Sequence, residues 1–258
     1  AGRPMQILFH LGAHGTDNGL LIRSILRNRS RLGEEGIVVP GPARYRELFG
    51  DLSTSLRGAP ADTDTEAMVM EAICDDDTAD RVVLSNDNFL CRPNVIVAAD
   101  GLYPKAEKSA WLRQCLPSHD AEFAIAIRNP ATFLPEVLAL SGDNATLPDG
   151  ISLAALLWSD VIADIASANP GARITAWCHE DTPFIWSEIV KELTGHDPYL
   201  RLNGEFDMLE TIISDEGLTR LVDFLEARGI TSQTKRRRAV SAFLESHAIR
   251  EAVEAEID

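Results

Sequence analysis

Apolar and polar positions alternate in blocks along this chain. The first apolar block, 6–11, is a short continuous run, the pattern of a strand buried on both faces of a parallel sheet. A turn-rich string follows it, Gly12-Ala13-His14-Gly15-Thr16-Asp17-Asn18-Gly19. Over 20–32 the apolar residues Leu21, Ile25 and Leu32 fall near one face of a helix, and Gly33 and Gly36 supply stop signals. Ile37-Val38-Val39 reads as a second short strand, closed by Pro40-Gly41-Pro42. The blocks then recur: a helix over 67–74, a strand over 81–85, a helix over 105–115 and a strand over 121–127. A strongly apolar helix over 151–168, a strand over 172–177 and a helix over 184–193 complete the series. Strands that alternate with helices predict an α/β fold built of βαβ units, a mostly parallel sheet with helices on both faces.

Past Gly195 the strand signal stops. Ser214 reads as an N-cap with Asp215 and Glu216 in the first turn. Leu218, Leu221, Val222 and Leu225 then keep helical spacing up to Gly229. A last helix is predicted from near Ser232 towards the C-terminus. With no internal repeat or linker, the expectation is one α/β domain over 1–258 whose part from about 205 is helical.

Composition narrows the functional classes. Twenty-four basic residues against 40 acidic ones give a net charge of −16 over 258 residues. That disfavours general nucleic-acid binding and anionic membrane surfaces, both of which need a basic face. No apolar run reaches the roughly 18 residues of a membrane span. Cys74, Cys91, Cys115 and Cys178 form neither a CxxC pair nor a zinc spacing, so free thiols and no metal are expected. The first residues lack a cleavable apolar region, and a cytoplasmic location is the expectation.

In open α/β sheets ligands bind beyond the carboxyl ends of the strands. Three segments meet that condition: 12–19, Ser85-Asn86-Asp87-Asn88, and Arg128-Asn129-Pro130. The first is neither a Walker A loop nor GxGxxG. Its glycines would let the backbone approach an anion, yet Asp17 places a carboxylate at the same helix start and reads equally as a cap.

Ile7-Leu8-Phe9-His10-Leu11-Gly12-Ala13-His14, followed by Gly36-Ile37 and Pro40-Gly41, resembles the opening of bacterial sulfotransferases. Val83-Leu84-Ser85-Asn86-Asp87, Ile127-Arg128-Asn129-Pro130 and the segment from Thr175 to Asp181 resemble later segments of that family, in the same order. The resemblance covers about residues 5–195. It implies a P-loop-type fold and sulfuryl transfer from 3′-phosphoadenosine 5′-phosphosulfate (PAPS) to a hydroxyl of a glycan or small molecule. It assigns the donor to Gly12, Ala13, Gly15, Thr16, Asn18, Gly19 and Arg128, a polarising role to His14, and that of base to Asp87. The chain departs from the family pattern where that chemistry is concentrated. Gly15 replaces the loop lysine, Asp17 the next glycine, Asn18 and Gly19 two threonines, and Glu136 a serine. Carboxylates beside a multiply charged donor are unfavourable at low dielectric. Hence two expectations stand: a sulfotransferase-like binding or scaffold protein with degraded donor motifs, and an active PAPS-dependent enzyme.

Each remaining feature has an ordinary reading beside its functional one. Asp87 serves as a base or as an Asx-turn residue, and His14 as a donor to an oxyanion or a satisfied loop histidine. Asp181 is expected to cap the helix after Pro183, with Glu180 a supporting residue. Lys235-Arg236-Arg237-Arg238 reads as a solvated helix face balanced by acids such as Glu245 and Glu251, or, from the resemblance, as an anion clamp. The string 75–77 reads as a solvated loop, and Trp111, Trp158, Trp177 and Trp186 as core residues.

Overall fold

The computed structural model describes residues 3–75, 78–143 and 145–249. Five parallel strands form the central sheet: β1 (Gln6–His10), β2 (Ile37–Val38), β3 (Arg81–Ser85), and then, after a two-stranded antiparallel hairpin of β4 (Val97–Ala98) and β5 (Gly101–Leu102), β6 (Asp120–Ile127) and β7 (Arg173–Cys178). Their order across the sheet is β2-β3-β1-β6-β7, so the first strand is central. This is the α/β architecture expected from the alternation of blocks.

The helices are α1 (Leu20–Leu26), α2 (Arg29–Gly33), α3 (Arg46–Leu56), α4 (Thr63–Ile73), α5 (Ser109–Gln114), α6 (Pro130–Ser141), α7 (Trp158–Ala168), α8 (Thr182–Thr194), α9 (Asp215–Ala227) and α10 (Gln233–His247). The helix expected over 20–32 is two helices. Asn28 divides them: its amide donates to the Ser24 carbonyl at 3.0 Å and to the Asn203 carbonyl at 2.9 Å, while its Oδ1 accepts the Asn203 N–H at 2.8 Å. A side chain that competes for backbone partners interrupts the helical ladder. Ser214 caps α9 as expected, its Oγ accepting the Gly217 N–H at 3.2 Å. The last helix stops at His247, short of the expected run towards the C-terminus, because Ala248 turns extended and bridges Ile213; Glu251 and two residues of the acidic string, at 76–77, lie outside the described residues.

Alternation along each strand sorts the core into two layers. Ile7, Phe9, Val82, Leu84, Phe123 and Ile125 face the layer of α3 to α7. Leu8, Val83 and Ala124 face α1 and α8. The C-terminal helices pack in a smaller cluster around Leu221, Leu225 and Val240. At the amino end of the strands Arg81 is a polar staple. It donates to Gln6 Oε1 at 2.8 Å, to Glu122 Oε2 at 2.7 Å and to the Leu193 carbonyl at 3.0 Å. That joins β3 to β1, β6 and α8 away from water.

At the opposite end the chain leaves β1 for the α1 layer and leaves its neighbours β3 and β6 for the other layer. The connections diverge there, at the carboxyl end of β1, the position where ligands bind in such sheets. Among the described residues no helix is long and apolar enough to cross a membrane.

Candidate functional site

The segment after β1 stays tied to β6. Leu11 N–H donates to the Ala124 carbonyl at 2.8 Å, Ala13 N–H to the Ala126 carbonyl at 3.1 Å, and Ala126 N–H to the Gly12 carbonyl at 2.7 Å. Thr16 turns its hydroxyl inward onto the Ala13 carbonyl at 2.7 Å. Asp17 Oδ2 accepts the Leu21 N–H at 2.8 Å, so a carboxylate occupies the start of α1. Asn18 and Gly19 both have positive φ, 49° and 74°. The Arg23 guanidinium closes the turn by donating to the Asn18 carbonyl at 3.0 Å. Thus the Ala13 amide and the Thr16 hydroxyl are both spent on the protein's own carbonyls.

Arg128 reaches this loop from the end of β6. Its Nη1 donates to the Gly15 carbonyl and lies 3.8 Å from Glu136 Oε2, while Nε donates to Thr132 Oγ1 at 3.3 Å. The Arg128 side chain is only 10% exposed. Gly15, with φ +67°, is packed from the same side: a Cβ there would overlap Glu136 Cγ and sit 3.4 Å from Arg128 Nη1. The two departures noted in sequence, at 15 and 136, are therefore one packing unit closed by Arg128.

His14 and Asp87 lie on the β3 side of the loop. Burial lowers the His14 pKa, which keeps the ring neutral. Nε2–H donates to Asn88 Oδ1 at 3.1 Å, and Nδ1 is 3.0 Å from the Tyr103 hydroxyl, which also accepts the His14 N–H at 3.2 Å. Both ring nitrogens are engaged within the protein. Tyr103 was not singled out in the sequence; it follows the small hairpin and meets His14 across 89 positions, a contact with no local signal.

Asp87 begins a short turn after Asn86, whose Oδ1 accepts the Asn88 N–H at 3.1 Å. The Asx cap thus falls to Asn86. The Asp87 carboxyl lies against Gly12, 3.3 Å from the position of a Cβ there. Burial, then repulsion from Asp17, push its pKa up to about 6. The folded state therefore favours the protonated acid. That contribution to stability is whole below about pH 4 and is lost as pH rises through about 6. Asp87→Asn is expected to be about 3 kcal/mol more stable than the parent at neutral pH, and equal to it below about pH 4. Urea denaturation at the two pH values checks this, and a pH-independent difference would refute it.

The other candidates lie at or beyond the rim. Glu180 Oε1 accepts the Asn129 N–H at 2.7 Å, which braces the loop that carries Arg128. Asp181 stands at the N-cap of α8, but its side chain makes no capping bond, contrary to expectation; its backbone is already helical (φ −84°, ψ −13°), which denies it the extended geometry of a cap. In the basic run, Arg236 pairs with Glu205 and Arg237 with Glu188 on α8, so the balancing acids come from other elements and not, as expected, from Glu245. Of the four tryptophans expected in the core, Trp158 and Trp186 are buried, whereas Trp111 and Trp177 are only half-buried. Among the described residues no group of three or more His, Cys, Asp or Glu is placed to hold a metal.

No family model matches the chain, and no curated protein matches it. Among solved structures the chain is similar to a sulfotransferase from Alicyclobacillus acidocaldarius, at 12% identity and a TM-score of 0.46, over 94% of this chain and 99% of that one. At that identity and TM-score the likeness says nothing of activity, ligand or residue roles.

Proposed function

We propose that this chain is a sulfotransferase-like binding protein whose donor position is filled from within and whose ligand is a hydroxyl-bearing glycan or small molecule. The reading rests on the ordered motifs at the strand ends and on one observation above all: the Gly15–Arg128–Glu136 unit. A nucleotide bearing a 3′-phosphate and a 5′-phosphosulfate needs cations and free amides. Here Arg128, the one basic residue matching the family's phosphate motif, is held by the Gly15 carbonyl and faces Glu136. The Asp17 carboxylate takes the helix start. The residues present do not fit PAPS.

Calorimetric titration with adenosine 3′,5′-bisphosphate, the desulfated donor product, tests this. The expected result is no saturable binding up to about 1 mM. Micromolar binding would overturn this reading and favour the second, an active PAPS-dependent sulfotransferase, for which acceptors would then be screened. Asp87 is the observation that favours that alternative, because a strand-end carboxyl with a raised pKa has the properties of a general base.

A further inference from the structure

We propose that the cavity beside the β4–β5 hairpin binds an amphiphilic carboxylate, an alkyl chain of medium length whose head meets Lys105. The site stands apart from the loop at 12–19 and goes beyond the preceding reading.

One stretch of chain builds the cavity. After β3 it passes Leu90 and Cys91, turns over Pro93–Val95 and enters the hairpin. Tyr103 then reverses it with φ 44°, in the left-handed region that a residue with a side chain rarely takes. The Tyr103 N–H donates to the Ile96 carbonyl at 2.6 Å, and its hydroxyl is engaged with His14. Beyond the reversal, Pro104 and Lys105 face the same space as residues 90–98, a cavity of about 320 Å³. Backbone in sparsely populated conformations clusters at ligand sites, and here it forms one wall of the cavity.

The lining selects the ligand. Leu90, Val95, Val97, Ala98 and Pro104 make it apolar, together with the Tyr103 ring. The volume falls at the small end of the roughly 300–1,000 Å³ of small-molecule sites, which are mostly apolar with a few placed polar groups. Cys91 adds no charge: burial pushes its thiol up to about 12, so it serves as another small apolar group. Lys105 is the one charged residue of the lining. It is exposed, and it has no ion-pair partner among the described residues. Val95, 49% exposed, marks the mouth with it. Asp100 and Glu107, the acids closest to it in sequence, do not line the cavity. An alkyl carboxylate matches this arrangement: the chain takes the apolar wall out of water, and the head accepts from the Lys105 ammonium at the mouth. A glycan does not, because its many hydroxyls would find one side-chain amide, that of Asn94. The net charge of −16 repels anions from the molecule as a whole, so a preference for an anion here has to come from the local lysine.

Calorimetric titration of the full chain compares octanoate with octylammonium, which has the same chain and the opposite charge, and with acetate, the head alone. Octanoate is expected to bind saturably, one per chain, and about fivefold more tightly than octylammonium, the upper range for an exposed ion pair. Acetate is expected not to saturate. Lys105→Gln should remove the preference between the two amphiphiles. Val95→Asp, a change at an exposed position, should weaken octanoate about fivefold and leave octylammonium no weaker. Ala98→Phe, which fills the cavity, should abolish saturation by both; Lys191→Gln on α8, outside the cavity, should alter neither. Octylammonium binding as tightly as octanoate, saturation by acetate, or no binding of octanoate overturns the proposal. So does parent-like octanoate affinity in both Lys105→Gln and Val95→Asp. If Ala98→Phe fails to fold, the two exposed variants carry the test. Titration with adenosine 3′,5′-bisphosphate reads the loop at 12–19 alone, so either proposal can fail without the other.

Discussion

Lysine at position 15, introduced alone, will destabilise the protein by about 2–5 kcal/mol and confer no affinity for adenosine 3′,5′-bisphosphate. Gly15 has φ +67°, where an L-residue costs about 1–2 kcal/mol. Its new Cβ would also overlap Glu136 Cγ, and overpacking of that kind costs about 1–3 kcal/mol. The triple variant Gly15→Lys, Asp17→Gly, Glu136→Ser removes the overlap and two carboxylates, and it releases Arg128 from its carboxylate neighbour. It is expected to bind the bisphosphate at least tenfold more tightly than the parent. Calorimetry combined with thermal unfolding reads both effects. Tight binding by the single variant would show that Glu136 does not block the site. No gain in the triple variant would remove the reading of the loop as an altered donor cradle.

Arg81→Leu is expected to cost about 3–5 kcal/mol, the largest stability loss foreseen for a single polar residue of this chain. The substitution leaves Glu122, whose side chain is 14% exposed, as an uncompensated charge, and strips a donor from Gln6 and from the Leu193 carbonyl. The double variant Arg81→Leu, Glu122→Leu should recover at least half of that loss, because a buried pair replaced by apolar groups is often neutral. Denaturant midpoints of the three proteins decide it; a loss below about 1 kcal/mol in the single variant would mean that water reaches the pair.

Strands were the most legible part of the fold. The runs at 6–11, 81–85 and 121–127 are apolar on both faces because helices cover both sides of the sheet, and that leaves no period to misread. Helices α3 and α6 escaped notice for local reasons. The first contains Gly50 and buries only Phe49; the second begins at Pro130 and carries Pro135 inside. Of the site, the strand-end position of 12–19, Asp87 and Arg128 followed from pattern and resemblance. Its internal bonds did not. The Asn28 break depends on Asn203, and the His14 contacts depend on Tyr103, partners that only the folded chain brings together. The changes at 15 and 136 were visible as two separate oddities, and only packing shows them to be one.

That interlock has a consequence for how the sequence can vary. With Glu136 in place, position 15 is confined to glycine. With Gly15 in place, a serine at 136 removes the carboxylate neighbour of Arg128, while still supplying no loop lysine. A lysine at 15 alone thus costs stability before any ligand can reward it. The two positions are coupled through packing: what a side chain at 15 costs depends on which residue stands at 136.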